Sequence, residues 1–171
     1  MYRHQLCDPD ISANFRTIVF DVPRHGKSLP PAGWHLEEDE YKLTTSFYAE
    51  FIVEFCRALE LHKPVIMGQS MGGNICLELA LRYENEFSAL IAMEACDYSP
   101  GWWIDPLHHP EIHGGEAVAT SVFGLMSPES PDEYRWETWW YYAQGGPGIF
   151  KGDLYYYSVD SDYRDKVHKI S

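Results

Sequence analysis

A serine flanked by glycines, Gly68-Gln69-Ser70-Met71-Gly72, is the part of this chain best equipped for chemistry. An apolar run, Pro64-Val-Ile-Met67, comes just before it, and residues 71–83, apolar nearly all round, come just after. A serine on a sharp strand-to-helix turn is held in a strained backbone conformation with its hydroxyl raised above a sheet. The helix start beneath it favours negative charge. The Met71 N–H points to where a tetrahedral oxyanion would form, and such a preorganised donor is worth roughly 3–4 kcal/mol of barrier. The indicated chemistry is attack of Ser70 on a carbonyl carbon, with an acyl-enzyme as intermediate. Gly68 and Gly72 are expected because a Cβ at either place would clash across the turn, and Gly73 because it gives the helix room to approach the strand. A bare pattern of this kind arises by chance in ~5% of chains this long, so the weight lies on its placement between strand and helix.

The elements that must position Ser70 follow from periodicity. Phe15-Arg-Thr-Ile-Val-Phe-Asp21 is a β-branched and aromatic run closed by Pro23 and Gly26, and predicts a buried parallel strand. Phe47, Phe51, Ile52, Phe55 and Leu59 recur at helical spacing across residues 44–61, with Thr44 or Thr45 as cap. Pro64–Met67 and Phe87–Met93 predict two further strands, separated by the helix 71–83. The order β-α-β-α-β implies a parallel sheet with helices on its faces, an α/β fold. Beyond residue 97 this rhythm stops. Helices are expected at 110–126 and at 131–144, the latter opened by Pro131 and closed by Gly145-Gly146, with a short piece at 153–158. The expected organisation is a core over 1–97 and an aromatic-rich helical cap over 98–171.

A second signal lies after the first expected strand, in Asp21-Val-Pro-Arg-His25-Gly26-Lys-Ser28. Together with Gly68-Gln-Ser70-Met-Gly72-Gly73, it makes the chain resemble the α/β-hydrolase superfamily, in which a D-x-P-G-H-G-x-S loop follows the strand two before the nucleophile strand. Arg24 stands where the first glycine of that loop is usual, a local variation of the turn. His25 is expected to be structural. The resemblance implies a partial α/β-hydrolase: strands four to six of the family plus the helical cap inserted after strand six. Nothing before Phe15 resembles the first three strands or the His-Gly oxyanion loop, and the family's usual acid and histidine would lie beyond residue 171.

The same resemblance makes Glu94, at the end of the third expected strand, the candidate catalytic acid, because some serine members take their acid there. Asp97 is the neighbouring candidate. Of the eight histidines, His108, His109 and His113 open the cap, where one could approach the cleft, but none stands at the family's position. Their clustering lacks the companion ligands of a metal site, and no metal is expected. Trp102, Trp103, Trp139 and Trp140 are the candidate walls of an apolar or aromatic substrate pocket. The implied reaction is hydrolysis of an ester, thioester or lactone. The alternatives are carbon–carbon bond hydrolysis on the same fold, and a truncated, non-catalytic binding module that keeps the pocket.

Composition narrows the partners. A net charge of −13 repels phosphate backbones and anionic lipid, so neither nucleic acid nor a membrane surface is expected as a partner. No G-x-G-x-x-G or G-x-x-x-x-G-K-[ST] follows a strand, so a nucleotide cradle is absent and no cofactor is expected. Cys7, Cys56, Cys76 and Cys96 have no pairing or metal-ligand spacing, and the first residues have no apolar leader. Both features point to a reducing, cytoplasmic setting. The expected partners are a small-molecule substrate and, through open sheet edges, a second copy of the chain.

Overall fold

The computed structural model describes residues 2–33, 35, 40–99, 114–146 and 148–170. The chain divides into two compact bodies, one from Met1–Tyr41 with Asp105–Lys151, the other from Lys42–Ile104 with Gly152–Ser171. This division does not follow the expected boundary at residue 97. The stretch from residue 152 onward packs with the segment that carries Ser70, because its Leu154, Tyr156 and Tyr163 are buried side chains of that body.

In the second body, helix α3 (Thr45–Ala58) precedes strand β1 (Val65–Gln69), helix α4 (Met71–Arg82) and strand β2 (Ala89–Met93). β1 and β2 pair in parallel, in register from Val65 opposite Ala89 to Gln69 opposite Met93. The α4 crossover makes that parallel pairing possible, since parallel neighbours cannot be joined by a tight turn. Thr44 caps α3, its hydroxyl accepting from the Phe47 N–H at 3.2 Å.

The buried stripe of α3 is Thr45, Tyr48, Ala49, Ile52, Val53 and Cys56. The aromatic stripe that marks the helix in the sequence lies elsewhere: Phe47 and Leu59 are exposed, while the Phe51 ring packs against both Phe47 and Phe55 at centroid distances of 6.4 and 6.1 Å. A four-residue repeat identifies a helix but not which of two apolar stripes it buries. On α4 the side chains of Ile75, Cys76 and Leu79 are fully buried.

The expected first strand does not form. The sheet of the described residues has two strands, β1 and β2, not three, and residues 15–21 belong to neither. A β-prone run becomes a strand only where a sheet takes it up, and Phe15, which opens this one, is 68% exposed.

In the first body, short helices α1 (Arg3–Cys7) and α2 (Pro9–Asn14) precede that segment. Asp8 caps α2 by accepting from the Asp10 and Ile11 N–H groups, with Pro9 at the first helical position. Helices α5 (Gly114–Leu125) and α6 (Asp132–Tyr142) pack together in this body. Gly115 allows their close approach, since a Cβ there would lie 2.6 Å from the Ala143 carbonyl oxygen. Helix α7 (Ile149–Tyr155) continues into a π-helical turn, Tyr156–Asp160. No helix among the described residues is long and apolar enough to cross a membrane.

Candidate active site

Ser70 stands between the last residue of β1 and the first of α4 with φ 56° and ψ −114°. This is left-handed backbone that a side chain with a Cβ rarely adopts, and holding it costs of order 1–3 kcal/mol. Two contacts enforce the bend: the Ser70 N–H donates to the Met93 carbonyl at the end of β2 at 3.0 Å, and the Ser70 carbonyl accepts from the Asn74 N–H at 2.9 Å. One side of the residue thus belongs to the sheet and the other to the first turn of α4. Ser70 is exposed. Met71 opens the helix, so its N–H has no intrahelical acceptor.

The glycines around it do not play equal parts. A Cβ on Gly68 would lie 2.0 Å from the Gly72 carbonyl oxygen, and one on Gly73 would lie 2.3 Å from the Met93 carbonyl oxygen. A Cβ on Gly72 would meet nothing nearer than the Tyr48 hydroxyl, at 3.9 Å. The expected clash at Gly72 is therefore absent. It is Gly72's own backbone that presses on Gly68, and Gly73 that faces the sheet.

Glu94 follows β2 with φ 50°, a second strained non-glycine residue at the same end of the sheet. Its carboxylate accepts from Gln69 Nε2 at 2.8 Å, so the residue before Ser70 holds the candidate acid. The turn carrying it is fixed to α4 by Asn74, buried to 1% exposure, whose side-chain oxygen accepts from the Cys96 N–H at 2.9 Å. Asp97 is exposed, and its carbonyl accepts from the Tyr163 N–H at 2.7 Å.

The hydroxyl nearest Ser70 Oγ in the structure belongs to a residue to which sequence reasoning gives no specific role. Tyr157 lies in the π-helical turn, and its hydroxyl is 2.5 Å from Ser70 Oγ. Its neighbour Tyr156 is fully buried, edge-on to Tyr48 at 6.0 Å, with a phenol that burial pushes far above its ordinary range. Asp160 ends the turn and accepts from the Thr45 N–H at 2.5 Å, tying it to the start of α3. In the sequence Tyr155-Tyr156-Tyr157 reads only as aromatic density. Consecutive residues of a helical turn face different ways, and composition does not say which one meets a serine.

No imidazole among the described residues is hydrogen-bonded to Ser70. His25 sits in the other body, its Nδ1 3.1 Å from the Pro23 carbonyl and its ring edge-on to Tyr41. The loop around it closes as a turn: Ser28 Oγ donates to the Asp21 carbonyl, and the Lys27 N–H to the Asp21 carboxylate. Arg24 adopts φ 75°, the conformation the family's glycine would take freely, with its guanidinium 4.7 Å from the centre of the Tyr41 ring. His4 is 2.8 Å from Glu137 in that same body, and His62 and His168 are exposed. His108, His109 and His113 lie outside the described residues, as do Trp102 and Trp103. Trp139 and Trp140 lie on α6 in the first body; Trp140 is exposed, and Trp139 packs edge-on to Trp136 at 5.9 Å.

Comparison with known proteins agrees with this geometry. The family model described as the alpha/beta hydrolase fold matches residues 3–113. This chain belongs to the α/β-hydrolase fold family. A protein of Mycobacterium phage D29 named as a non-heme haloperoxidase is 30% identical over 81 residues, which are 47% of this chain and 26% of that protein. The chloroplastic protein PHYLLO of Arabidopsis thaliana is 32% identical over 93 residues, 53% of this chain and 5% of that one. Among solved structures, a hydrolase from Pseudomonas aeruginosa PA01 superposes with a TM-score of 0.79 at 19% identity, over 99% of this chain and 63% of that one. The chain thus spans less than two thirds of each of these relatives, and the structural likeness establishes the fold.

Proposed function

We propose that the chain carries the nucleophile of a serine hydrolase that cleaves an ester, thioester or lactone of an apolar or aromatic small molecule. The observation that carries this reading is the backbone at Ser70: a strained, exposed serine pinned between sheet and helix start. Strain of this kind persists where the surroundings over-determine it, and it concentrates at reacting residues. In the proposed reaction Ser70 Oγ attacks the acyl carbon, the Met71 N–H stabilises the oxyanion, the leaving group departs, and water releases the acid. Glu94 is the proposed acid. The experiment is labelling of the folded protein by a fluorophosphonate, read by intact mass. A single adduct that disappears in Ser70→Ala is expected, and no adduct on folded wild-type protein ends the reading.

A second reading, a ligand-binding module without turnover, is favoured by the absence of an imidazole at Ser70 among the described residues. It requires ligand-induced thermal stabilisation together with ester hydrolysis that is indifferent to Ser70→Ala. Loss of p-nitrophenyl ester hydrolysis in that variant removes it.

A further inference from the structure

We propose that Tyr157 is a positioning residue for Ser70: its hydroxyl donates to Ser70 Oγ and holds that side chain in one orientation. The inference rests on the hydrolase reading above and adds to it the group that aims the serine. The backbone of Ser70 is fixed by its bonds to Met93 and Asn74, but neither bond touches the side chain. An exposed serine whose main chain alone is held still has staggered χ1 wells to choose among. The Tyr157 hydroxyl, 2.5 Å from Ser70 Oγ, supplies the missing restraint.

The phenol is itself held in place. Tyr157 lies on a π-helical turn, an irregularity frequent at functional sites. Its ring rests edge-on against fully buried Tyr156, at a centroid distance of 5.9 Å. Beyond it, Asp160 ties the turn to α3, its carboxylate accepting from the Thr45 N–H and its carbonyl from Thr45 Oγ1 at 3.4 Å. The direction of the bond follows from the two hydroxyls. A phenol is a better donor than an aliphatic alcohol, and a serine oxygen has one proton and two lone pairs. With Tyr157 donating, one lone pair is used, the other is left for the acyl carbon, and the Oγ proton is left for the general base of the reaction. Tyr157 neither takes nor gives a proton and stays neutral throughout.

Two readouts on the folded protein test this. The first needs no turnover: the Hα–Hβ spin couplings of Ser70 in NMR. Wild type is expected to show a single staggered rotamer and Tyr157→Phe an average over several. Averaged couplings in wild type, or couplings unchanged by Tyr157→Phe, overturn the proposal. The second is the rate constant for fluorophosphonate labelling of Ser70. Tyr157→Phe is expected to lower it by about 3- to 10-fold, the worth of one neutral hydrogen bond, with the midpoint of its pH profile unmoved because the base is untouched. An unchanged rate overturns the proposal, and so does a shifted midpoint, which gives Tyr157 a part in proton transfer instead. Asp160→Ala loosens the turn and keeps the phenol. Because both changes act through one contact, it is expected to cost less in the Tyr157→Phe background than in wild type, and full additivity overturns the account. Should Tyr157→Phe fail to fold, Asp160→Ala decides alone: Ser70 couplings that stay those of one rotamer overturn it. No labelling of wild type, with the Ser70 couplings still those of one rotamer, is a separate result: it removes the hydrolase reading, and the positioning role with it.

Discussion

The two glycines that flank Ser70 at equal distance should respond oppositely to alanine. In Gly68→Ala the new methyl lies 2.0 Å from the Gly72 carbonyl oxygen and 2.3 Å from the Gly72 carbonyl carbon. Both are backbone atoms at the start of α4, so no side chain can swing away, and the helix start must retreat from β1 by about 1 Å to restore ordinary contact. That retreat pulls on the Ser70 N–H bond to Met93. Overpacking of this kind costs typically 1–3 kcal/mol, and a clash against backbone belongs at the upper end. In Gly72→Ala the methyl has open space out to 3.9 Å, and α4 gains a better helix former, worth up to ~1 kcal/mol. The two variants should therefore differ by about 2–4 kcal/mol, with Gly68→Ala the less stable. For a chain of this size each kcal/mol moves the melting temperature by roughly 2–4 °C, so the difference is easily measured by thermal or urea unfolding. Gly73→Ala, facing the Met93 carbonyl at 2.3 Å, should behave like Gly68→Ala. Equal stabilities for Gly68→Ala and Gly72→Ala would refute the account of the turn.

Strain at the nucleophile gives a second contrast: Ser70→Gly and Ser70→Ala both lose the hydroxyl, but only glycine relieves φ 56°, so Ser70→Gly should melt higher, by about 1–2 kcal/mol of stability. Thiol chemistry gives a third. Cys7 is exposed, whereas burial pushes the Cys76 thiol up to about 11 and raises that of Cys56, so timed alkylation with mass readout should modify Cys7 first and Cys76 last. The same shift has a pH sign. A thiol whose folded value lies above its unfolded one contributes stability that is complete below the ordinary 9.0 and is lost as pH rises towards about 11, so Cys76→Ala should lessen the alkaline fall in stability measured by urea titration. The outer edges of β1 and β2 are unpaired among the described residues, and Val65, Met67 and Ile91 are exposed apolar side chains on them, so the isolated chain should associate with concentration. Light scattering that shows a monomer across the accessible range would refute this.

How much of this was legible in the sequence depends on how local each cause is. The elbow is written in five consecutive residues, because a strand, a tight turn and a helix start are each dictated by near neighbours. The caps at Thr44 and Pro131 are local in the same sense. The strand expected at Phe15–Asp21 is not, since a strand exists only through the neighbour that pairs with it. The buried stripe of α3 is also non-local: Ile52, part of the stripe read from the sequence, is buried, but Phe47 and Leu59, as apolar as any core residue, are exposed, and α3 buries Tyr48, Ala49 and Val53 beside Ile52. Tyr157 is the extreme case, because 87 positions separate it from Ser70 and its contact depends on how a π-helical turn orients three successive tyrosines.

That return of the chain is what gives the nucleophile its surroundings. The body holding Ser70 is made from two stretches of sequence, and three features join them at separate points: the main-chain bridge between Tyr98 and Asp162, the Leu43 N–H bond to the Gly152 carbonyl at 3.0 Å, and the Asp160 carboxylate on the Thr45 N–H. The later stretch is thus tied at both its start, Gly152, and its far part, Asp160 and Asp162, to residues of the earlier one. The geometry at the serine is a property of the second body's own hydrogen bonds, and substitutions confined to α5 or α6 should leave the Ser70–Tyr157 contact intact.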